Sequence, residues 1–117
     1  MQKPKTFYDL FAQAAEQNAS LETFKIRKKT GVIAGRTFRR IHELVTELAA
    51  GLRSAGVAQD DRVNLLCDSS PNWILADAAI IAAGAVCVPR GTDVTDDDIR
   101  YIVGHSESRW AIVQKQK

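Results

Sequence analysis

Residues 61–90 decide the fold of this chain, and they read DRVNLLCDSSPNWILADAAIIAAGAVCVPR. Two short apolar runs, residues 63–67 and 85–88, are typical of buried strands, and the second is expected to stop at Pro89. Between them, Ser70-Pro71 marks a helix start, because serine caps a first turn and proline fits within it. Apolar side chains then surround the helix, at Trp73, Ile74, Ala76, Ala78, Ile80 and Ile81. The segment predicts a strand, a largely buried helix and a second strand.

The residues that follow add one more helix and one more strand. Thr95 can cap a helix whose first turn carries three carboxylates, which the positive end of the helix dipole favours. Residues 109–113 form the last apolar run. Because parallel strands need crossover connections, short strands separated by helices predict a parallel sheet with helices on both faces.

The N-terminal part predicts a helix and a β-hairpin. Thr6 can cap a helix that should fade near Asn18. From residue 21 to residue 36, apolar and polar side chains alternate around a turn at residues 29–31, which indicates two antiparallel strands. Gly35 is expected to allow a bend before the next element.

The clearest helix lies between Thr37, a capping residue, and Gly56, which suits the left-handed position that ends a helix. Its apolar stripe is formed by Ile41, Leu44, Val45, Leu48, Ala49 and Leu52. The whole pattern predicts an α/β fold: an N-terminal helix and β-hairpin followed by a βαβαβ parallel-sheet unit covered by helices. We expect a single partial domain over residues 1–117, with a polar tail at 114–117.

The composition fits a soluble globular domain. The 117 residues are 45% hydrophobic and 26% charged, with a formal net charge of +2. So small a charge does not by itself indicate nucleic acid as a partner. The polar N-terminus has no apolar signal core, and the apolar segment 74–88 is shorter than the roughly 20 residues that a membrane span needs. A cytoplasmic location is therefore expected.

The cysteines and histidines form no recognisable metal or redox motif. Cys67 and Cys87 are interpreted as reduced, buried thiols, with a disulfide between adjacent strands as the alternative. His42 and His105 lie on different predicted helices and are interpreted as solvated or dipole-facing side chains rather than ligands. The sequence contains no nucleophile elbow, dinucleotide-binding or phosphate-loop motif.

Three consecutive carboxylates, Asp96, Asp97 and Asp98, suggest two interpretations. A magnesium site is one. Neighbouring residues of a helix point in different directions, however, and therefore converge poorly on an ion. Carboxylates that stabilise the first turn of a helix are the favoured interpretation.

A basic zone surrounds the predicted hairpin. It consists of Lys25, Arg27, Lys28, Lys29, Arg36, Arg39 and Arg40. Such a zone can contact anionic lipid or nucleic acid. A nucleic-acid reader usually exposes aromatic side chains among its charges, whereas Phe24 and Phe38 fall on a core face. A solvated basic surface is the favoured interpretation.

Several short motifs follow one another in a specific order. They are Thr37-Phe38, 48–52 (LAAGL), Gly56-Val57, Asp61-Arg62-Val63, 69–73 (SSPNW), 79–86 (AIIAAGAV), Val88-Pro89 and 98–106 (DIRYIVGHS). In this order they resemble the N-terminal part of the adenylate-forming superfamily, the AMP-binding acyl-CoA synthetases and their relatives. Residues 89–93 (PRGTD) are most similar to the long-chain fatty acyl-CoA ligase branch, whereas Asp60 departs from the glycine usual in the family.

The resemblance implies a two-step reaction of the whole enzyme. The carboxylate of a fatty acid attacks the α-phosphate of ATP, giving an acyl-adenylate and pyrophosphate, and the thiol of coenzyme A then displaces AMP. ATP, Mg²⁺ and coenzyme A are the cofactors so implied. The family's phosphate loop, magnesium motif, ribose-binding aspartate and catalytic lysine would lie beyond Lys117. No catalytic, cofactor-binding or metal-binding residue is therefore assigned within this chain.

Two hypotheses follow for the chain. The first is an N-terminal fragment of an ATP-dependent long-chain fatty acid–CoA ligase, itself inactive and structural, and binding no cofactor alone. The alternative is a free-standing, non-catalytic α/β interaction module, which the good caps and complete helix stripes would suit. Under the first hypothesis, the fatty acid substrate binds through the rest of the enzyme. Nucleic acid is not expected as a partner. Membrane association of the whole enzyme stays open. Sheet edges exposed by truncation predict a homo-oligomer.

Overall fold

The computed structural model describes residues 3, 5–27, 29–31 and 33–115. In chain order the elements are α1 (Phe7–Gln17), β1 (Glu22–Arg27), β2 (Ile33–Thr37), α2 (Phe38–Ala55), β3 (Arg62–Leu66), α3 (Pro71–Ala82), β4 (Val86–Arg90), α4 (Asp96–Ser106) and β5 (Trp110–Val113). This order confirms the predicted helix and hairpin followed by a βαβαβ unit. Within the described ranges, no helix is both long enough and apolar enough to cross a membrane.

Each helix begins at a hydroxyl side chain that accepts a hydrogen bond from a backbone N–H three residues ahead. The acceptors are Thr6, Thr37, Ser70 and Thr95, and the donors, at 3.0–3.2 Å, are the amides of Asp9, Arg40, Trp73 and Asp98. Each bond satisfies an N–H group that a helix start leaves without an intrahelical acceptor, so these residues determine where the helices begin. Gly56 ends α2 with a left-handed φ of 118°, as predicted.

The second half of the chain forms a three-stranded parallel sheet in the order β4-β3-β5. On one face, Leu65 of β3 packs against Ala76 and Ile80 of α3. On the other, the Arg62 guanidinium donates to the carbonyl of Ser106, at the end of α4, at 2.7 Å. Because side chains alternate along a strand, residues 62 and 65 point to opposite faces. α3 and α4 therefore lie on opposite faces, which confirms the predicted parallel sheet.

A second apolar cluster joins the two halves of the chain. Ile41 and Val45 of α2 pack with Leu75 and Ala78 of α3, and Phe24 of the hairpin lies against them. β1 and β2 pair antiparallel, as predicted. α2 is thereby held between the N-terminal elements and α3.

The expectation that Pro89 stops the second strand is wrong, because β4 continues through Pro89 to Arg90. Among the described strands, β4 is an edge strand that pairs only with β3. The Val86 N–H donates to Asp61 O, and Arg90 O accepts from the Cys67 N–H, so alternate residues of β4 turn their backbone groups towards β3. Pro89 lies between these positions and faces the open edge, where a missing N–H costs no ladder hydrogen bond.

Two smaller expectations also differ from the structure. Gly35 does not bend the chain but lies within β2, opposite Lys25. The Glu22 carboxylate occupies the space where a Cβ at position 35 would stand, so glycine permits a close approach here rather than a turn. In α3, Ile74 is 46% exposed, although the other predicted apolar positions are buried or half-buried.

Ile74 and Ile80, two of the three isoleucines of α3, supply a matched test of the core. Ile80 is fully buried, whereas Ile74 is half exposed on the same helix. We predict that Ile80→Ala lowers the free energy of unfolding by about 2–5 kcal/mol, because it leaves a cavity. Ile74→Ala should cost less than about 1 kcal/mol. Urea unfolding followed by circular dichroism measures both, and equal losses would contradict the packing described.

Candidate functional site

The carboxyl ends of the three parallel strands lie at one edge of the sheet. α3 leaves from β3 on one face, and α4 enters β5 from the other. In open α/β sheets, ligands bind in the crevice outside the strand ends, where the connecting helices diverge. This edge therefore forms the candidate site.

Three residues that follow the three strands are joined by hydrogen bonds, and we call Asp68, Thr92 and Gln114 the strand-end clasp. The Thr92 N–H donates to Asp68 Oδ1 at 3.0 Å, and the Thr92 hydroxyl lies 2.7 Å from both carboxylate oxygens. The Asp68 N–H donates to Gln114 Oε1 at 2.9 Å, and the Gln114 N–H donates to Leu66 O at 2.9 Å. The clasp joins the loops after β3, β4 and β5.

The clasp also sets the charge of Asp68. The backbone hydrogen bond from Thr92, followed by the bond from its hydroxyl, lowers the pKa of Asp68 below its ordinary value of 3.8. Desolvation acts in the opposite direction but is the smallest of the three effects. Asp68 therefore carries a negative charge at neutral pH.

Two cavities lie beside the clasp. The first, of about 470 Å³, is lined by apolar Leu65 and Ile112 and by polar Asn72. The second, of about 440 Å³, is lined by Asp68 and Arg90 among others. Hydrogen-bonding groups next to apolar surface are usual in small-molecule sites. No histidine is among the described residues that line them, so neither cavity holds the nucleophile–histidine pair that acyl transfer often uses.

The described residues do not fit a magnesium ion. No three His, Cys, Asp or Glu side chains among them converge as a metal site requires. The Asp98 carboxylate accepts the Thr95 N–H at 3.2 Å, and the bonds with Thr95 lower the pKa of Asp98. Asp97 Oδ1 lies 3.7 Å from the Arg100 guanidinium. The capping box confirms that residues 96–98 serve the first turn of α4.

The two histidines have different surroundings. His105 is exposed in the last turn of α4, where its ring stacks on Tyr101 at a centroid distance of 5.4 Å, as expected of a solvated side chain. His42 is half-buried, its Nε2 lies 3.3 Å from the Tyr8 hydroxyl, and its ring lies 6.0 Å from that of Phe11. The solvated interpretation is therefore wrong for His42, which helps to hold α1 on α2.

Both cysteines are free thiols, as predicted, but they are half-buried rather than buried. Cys87 lies opposite Val63 near the start of β3, whereas Cys67 follows the end of that strand, so the two are too far apart for a disulfide. Burial raises the pKa of the Cys87 thiol to about 12, and the hydrogen bond and negative charge of Asp77 add to this. Cys87 is therefore a neutral thiol at neutral pH, a poor nucleophile and metal ligand.

Sequence patterns did not single out the strand-end clasp. Asp68 is 24 residues from Thr92 and 46 from Gln114, and no local periodicity connects them. A weak signal exists, because each polar residue follows an apolar run that forms a parallel strand. Parallel strands bring such positions to one edge.

Comparison with known proteins shows the relationships of the chain. The family model described as AMP-binding enzyme matches residues 11–117. Long chain acyl-CoA synthetase 1 of Arabidopsis thaliana is 28% identical over 116 residues, which cover 96% of this chain and 18% of that protein. Bacitracin synthase 3 of Bacillus licheniformis is 31% identical over 111 residues, which cover 95% of this chain and 2% of that protein. The chain thus spans less than a fifth of these relatives.

A chloroplastic relative and two solved structures extend the comparison. Long-chain-fatty-acid–[acyl-carrier-protein] ligase AEE15 of A. thaliana is 36% identical over 72 residues, 62% of this chain and 10% of that protein. The NpsA N-terminal subdomain of Klebsiella oxytoca superposes with a TM-score of 0.86 at 20% identity, covering 97% of this chain and 29% of that one. A fatty acid AMP ligase of Legionella pneumophila superposes with a TM-score of 0.84 at 20% identity, covering 95% of this chain and 20% of that one. The structural likenesses establish the shared fold.

The clasp predicts a particular dependence of stability on pH. The pKa of Asp68 is lowered in the folded chain, so its stabilising effect is present above the ordinary carboxyl pKa and is lost as the pH falls below it. We expect Asp68→Asn to lower the melting temperature at pH 7 and to flatten its decline between about pH 5 and pH 3. Asp93→Asn, in the loop that contains Thr92, is the matched control, and the same effect from that variant would contradict the clasp.

The raised pKa of Cys87 predicts that its thiol is alkylated slowly in the folded chain. In a Cys67→Ser variant, we expect iodoacetamide at pH 8 to modify Cys87 more than about tenfold more slowly in native buffer than in urea, because the folded thiol stays protonated. The raised pKa of Cys87 also means that the free energy of unfolding falls as the pH rises above 9. The thiol of the unfolded chain ionises there, whereas the thiol of the folded chain stays protonated. The reciprocal variant, Cys87→Ser, provides the control through Cys67, and equal rates in the native and unfolded states would contradict the prediction.

Proposed function

Because the chain belongs to the AMP-binding enzyme family, we propose that it forms the N-terminal scaffold of an ATP-dependent ligase that joins a long-chain fatty acid to coenzyme A. The observation that carries this proposal is the family match, which extends over residues 11–117. The choice of a fatty acid is supported by the long chain acyl-CoA synthetase that aligns with 96% of the chain. It is further supported by the similarity of residues 89–93 to that branch.

In the proposed reaction, a fatty acid oxygen attacks the α-phosphorus of ATP and pyrophosphate leaves, which gives an acyl-adenylate. The sulfur of coenzyme A then attacks the acyl carbon, and AMP leaves with the electrons of the broken bond. Charge on the phosphate oxygens would be stabilised by Mg²⁺ and by donor groups. The described residues do not fit these groups, so no chemical step is given to them. Their part is to hold the sheet edge in one arrangement through the clasp.

A pyrophosphate-exchange assay tests the function. The open reading frame that carries this sequence is expressed in full and assayed with ATP and labelled pyrophosphate. We expect exchange to depend on a long-chain fatty acid such as palmitate and thioester formation to require coenzyme A. Exchange with amino acids alone, or transfer only to an acyl-carrier protein, would contradict the proposal.

The 117-residue chain by itself is the matched control. We expect it to support no exchange with any acid, since no chemical step is assigned to the described residues. Exchange by the short chain would show that the prediction of an inactive fragment is wrong. A stop codon directly after Lys117 in the gene would count against the ligase and favour the free-standing interaction module.

Self-association and location stay proposals as well. β4 and β5 are edge strands among those described, and Val86, Tyr101 and Val113 are 46%, 69% and 63% exposed near them. We propose that two or more copies of the isolated chain associate through these edges, because unpaired strand edges and exposed apolar residues drive association. A strict monomer in light scattering at high concentration would contradict this.

We also propose a cytoplasmic location, which imaging of a tagged full-length protein would test.

A further inference from the structure

Charge is distributed very unevenly along the chain. Residues 22–40 carry seven Lys and Arg residues and one Glu, whereas the rest of the chain carries nine Lys and Arg and thirteen Asp and Glu. The hairpin and the first turn of α2 therefore have a net charge of +6, and the rest has a net charge of −4. A surface with such a local excess attracts anions.

The hairpin presents most of its described cations to solvent. Phe24 of β1 is half-buried against the second apolar cluster, and alternation along the strand places Arg27 on the opposite face. Arg27 is exposed, as are Lys29 in the turn and Arg39 in the first turn of α2. Lys28, which the sequence places in the same zone, lies outside the described residues. Arg27, Lys29 and Arg39 therefore face solvent, whereas Arg36, which lies opposite Phe24, is half-buried.

Most of the described cations in this zone have no ion-pair partner. Lys25 lies 3.6 Å from Glu22, and Arg40 lies 3.1 Å from Glu43. In the part of the chain that the structure describes, no ion pair involves Arg27, Lys29, Arg36 or Arg39. The charges of the exposed Arg27, Lys29 and Arg39 are therefore available to another molecule.

The shape of the zone suits an extended anionic surface. β2, five residues and about 17 Å long at about 3.4 Å per residue, separates Lys29 from Arg39, so the cations are spread out rather than gathered in a pocket. Phe24 and Phe38 are half-buried and form no exposed stacking platform for bases. Leu21 is 56% exposed. Its carbonyl accepts the Phe38 N–H at 2.9 Å, which places Leu21 beside the first turn of α2. Apolar residues beside cations favour a lipid interface.

We propose that the hairpin and the first turn of α2 dock the protein on a membrane surface rich in anionic lipid. Clusters of four to eight Lys or Arg residues bind such surfaces, with similar contributions from each cation. The negatively charged remainder of the molecule is repelled, which orients the hairpin towards the bilayer. This surface involves none of the strand-end clasp, and the inference does not depend on the ligase activity.

Vesicle sedimentation tests the proposal with the 117-residue chain. We expect binding to phosphatidylcholine vesicles that contain about one-third phosphatidylserine, no binding to pure phosphatidylcholine, and loss of binding in about 1 M salt, where the Debye length is about 3 Å. The triple variant Arg27→Gln, Lys29→Gln, Arg39→Gln should bind about 100-fold more weakly, since each cation contributes about fivefold. These side chains are exposed, and circular dichroism checks that the variant is folded.

A second triple variant, Arg100→Gln, Arg109→Gln, Lys115→Gln, changes the net charge equally outside the zone and should keep binding within about threefold, less than one cation's share. Equal losses in the two triple variants would overturn the proposal, because binding would then depend on net charge alone. Binding that ignores the lipid charge would also overturn it. So would binding to single-stranded or duplex RNA with no binding to anionic vesicles.

Discussion

Strand β3 is paired on both sides and buried on both faces, and this constraint positions the elements around it. Val63 and Leu65 are at most 1% exposed on the face covered by α3, and Asn64 on the other face is 1% exposed. A shift of register by one residue would turn Arg62 into the core, so the pairing with β4 and β5 is strongly specified. The buried Asn64 amide has no hydrogen-bond partner among the described residues.

The fixed register brings the carboxyl ends of three strands level with one another, which is why the clasp can form. Asp68 and Gln114 are exposed and Thr92 is half-buried, yet their bonds are structural. The backbone N–H and the hydroxyl of Thr92 both donate to the Asp68 carboxylate, and Gln114 connects β5 to the same loop. Other reactive groups are engaged in the same way. Asp98 caps a helix, and Cys87 is kept protonated by burial and by Asp77. Asp68, Asp98 and Cys87 are thus engaged within the fold, in keeping with a scaffold.

The N-terminal hairpin depends on the same core but serves a different surface. Its aromatic residue, Phe24, is drawn into the cluster around Ile41 and Val45, and alternation then turns the neighbouring cations outwards. Burial of one face and charge on the other are therefore two results of one strand pattern. Thirteen of the fourteen acidic residues lie in the rest of the chain, so the two regions have net charges of opposite sign.

The sequence by itself determined the helices, because Thr6, Thr37, Ser70 and Thr95 act on amides only three residues away. It also determined the alternation of strands and helices, hence the parallel sheet, and its ordered motifs carried the resemblance to the family that the family model matches. Only the tertiary structure decided features that depend on distant neighbours. Pro89 continues a strand because, among the described strands, β4 pairs only with β3 and Pro89 faces the other side. The clasp joins Asp68 to Thr92 and Gln114, which lie 24 and 46 positions further along the chain and which no local pattern connects to it.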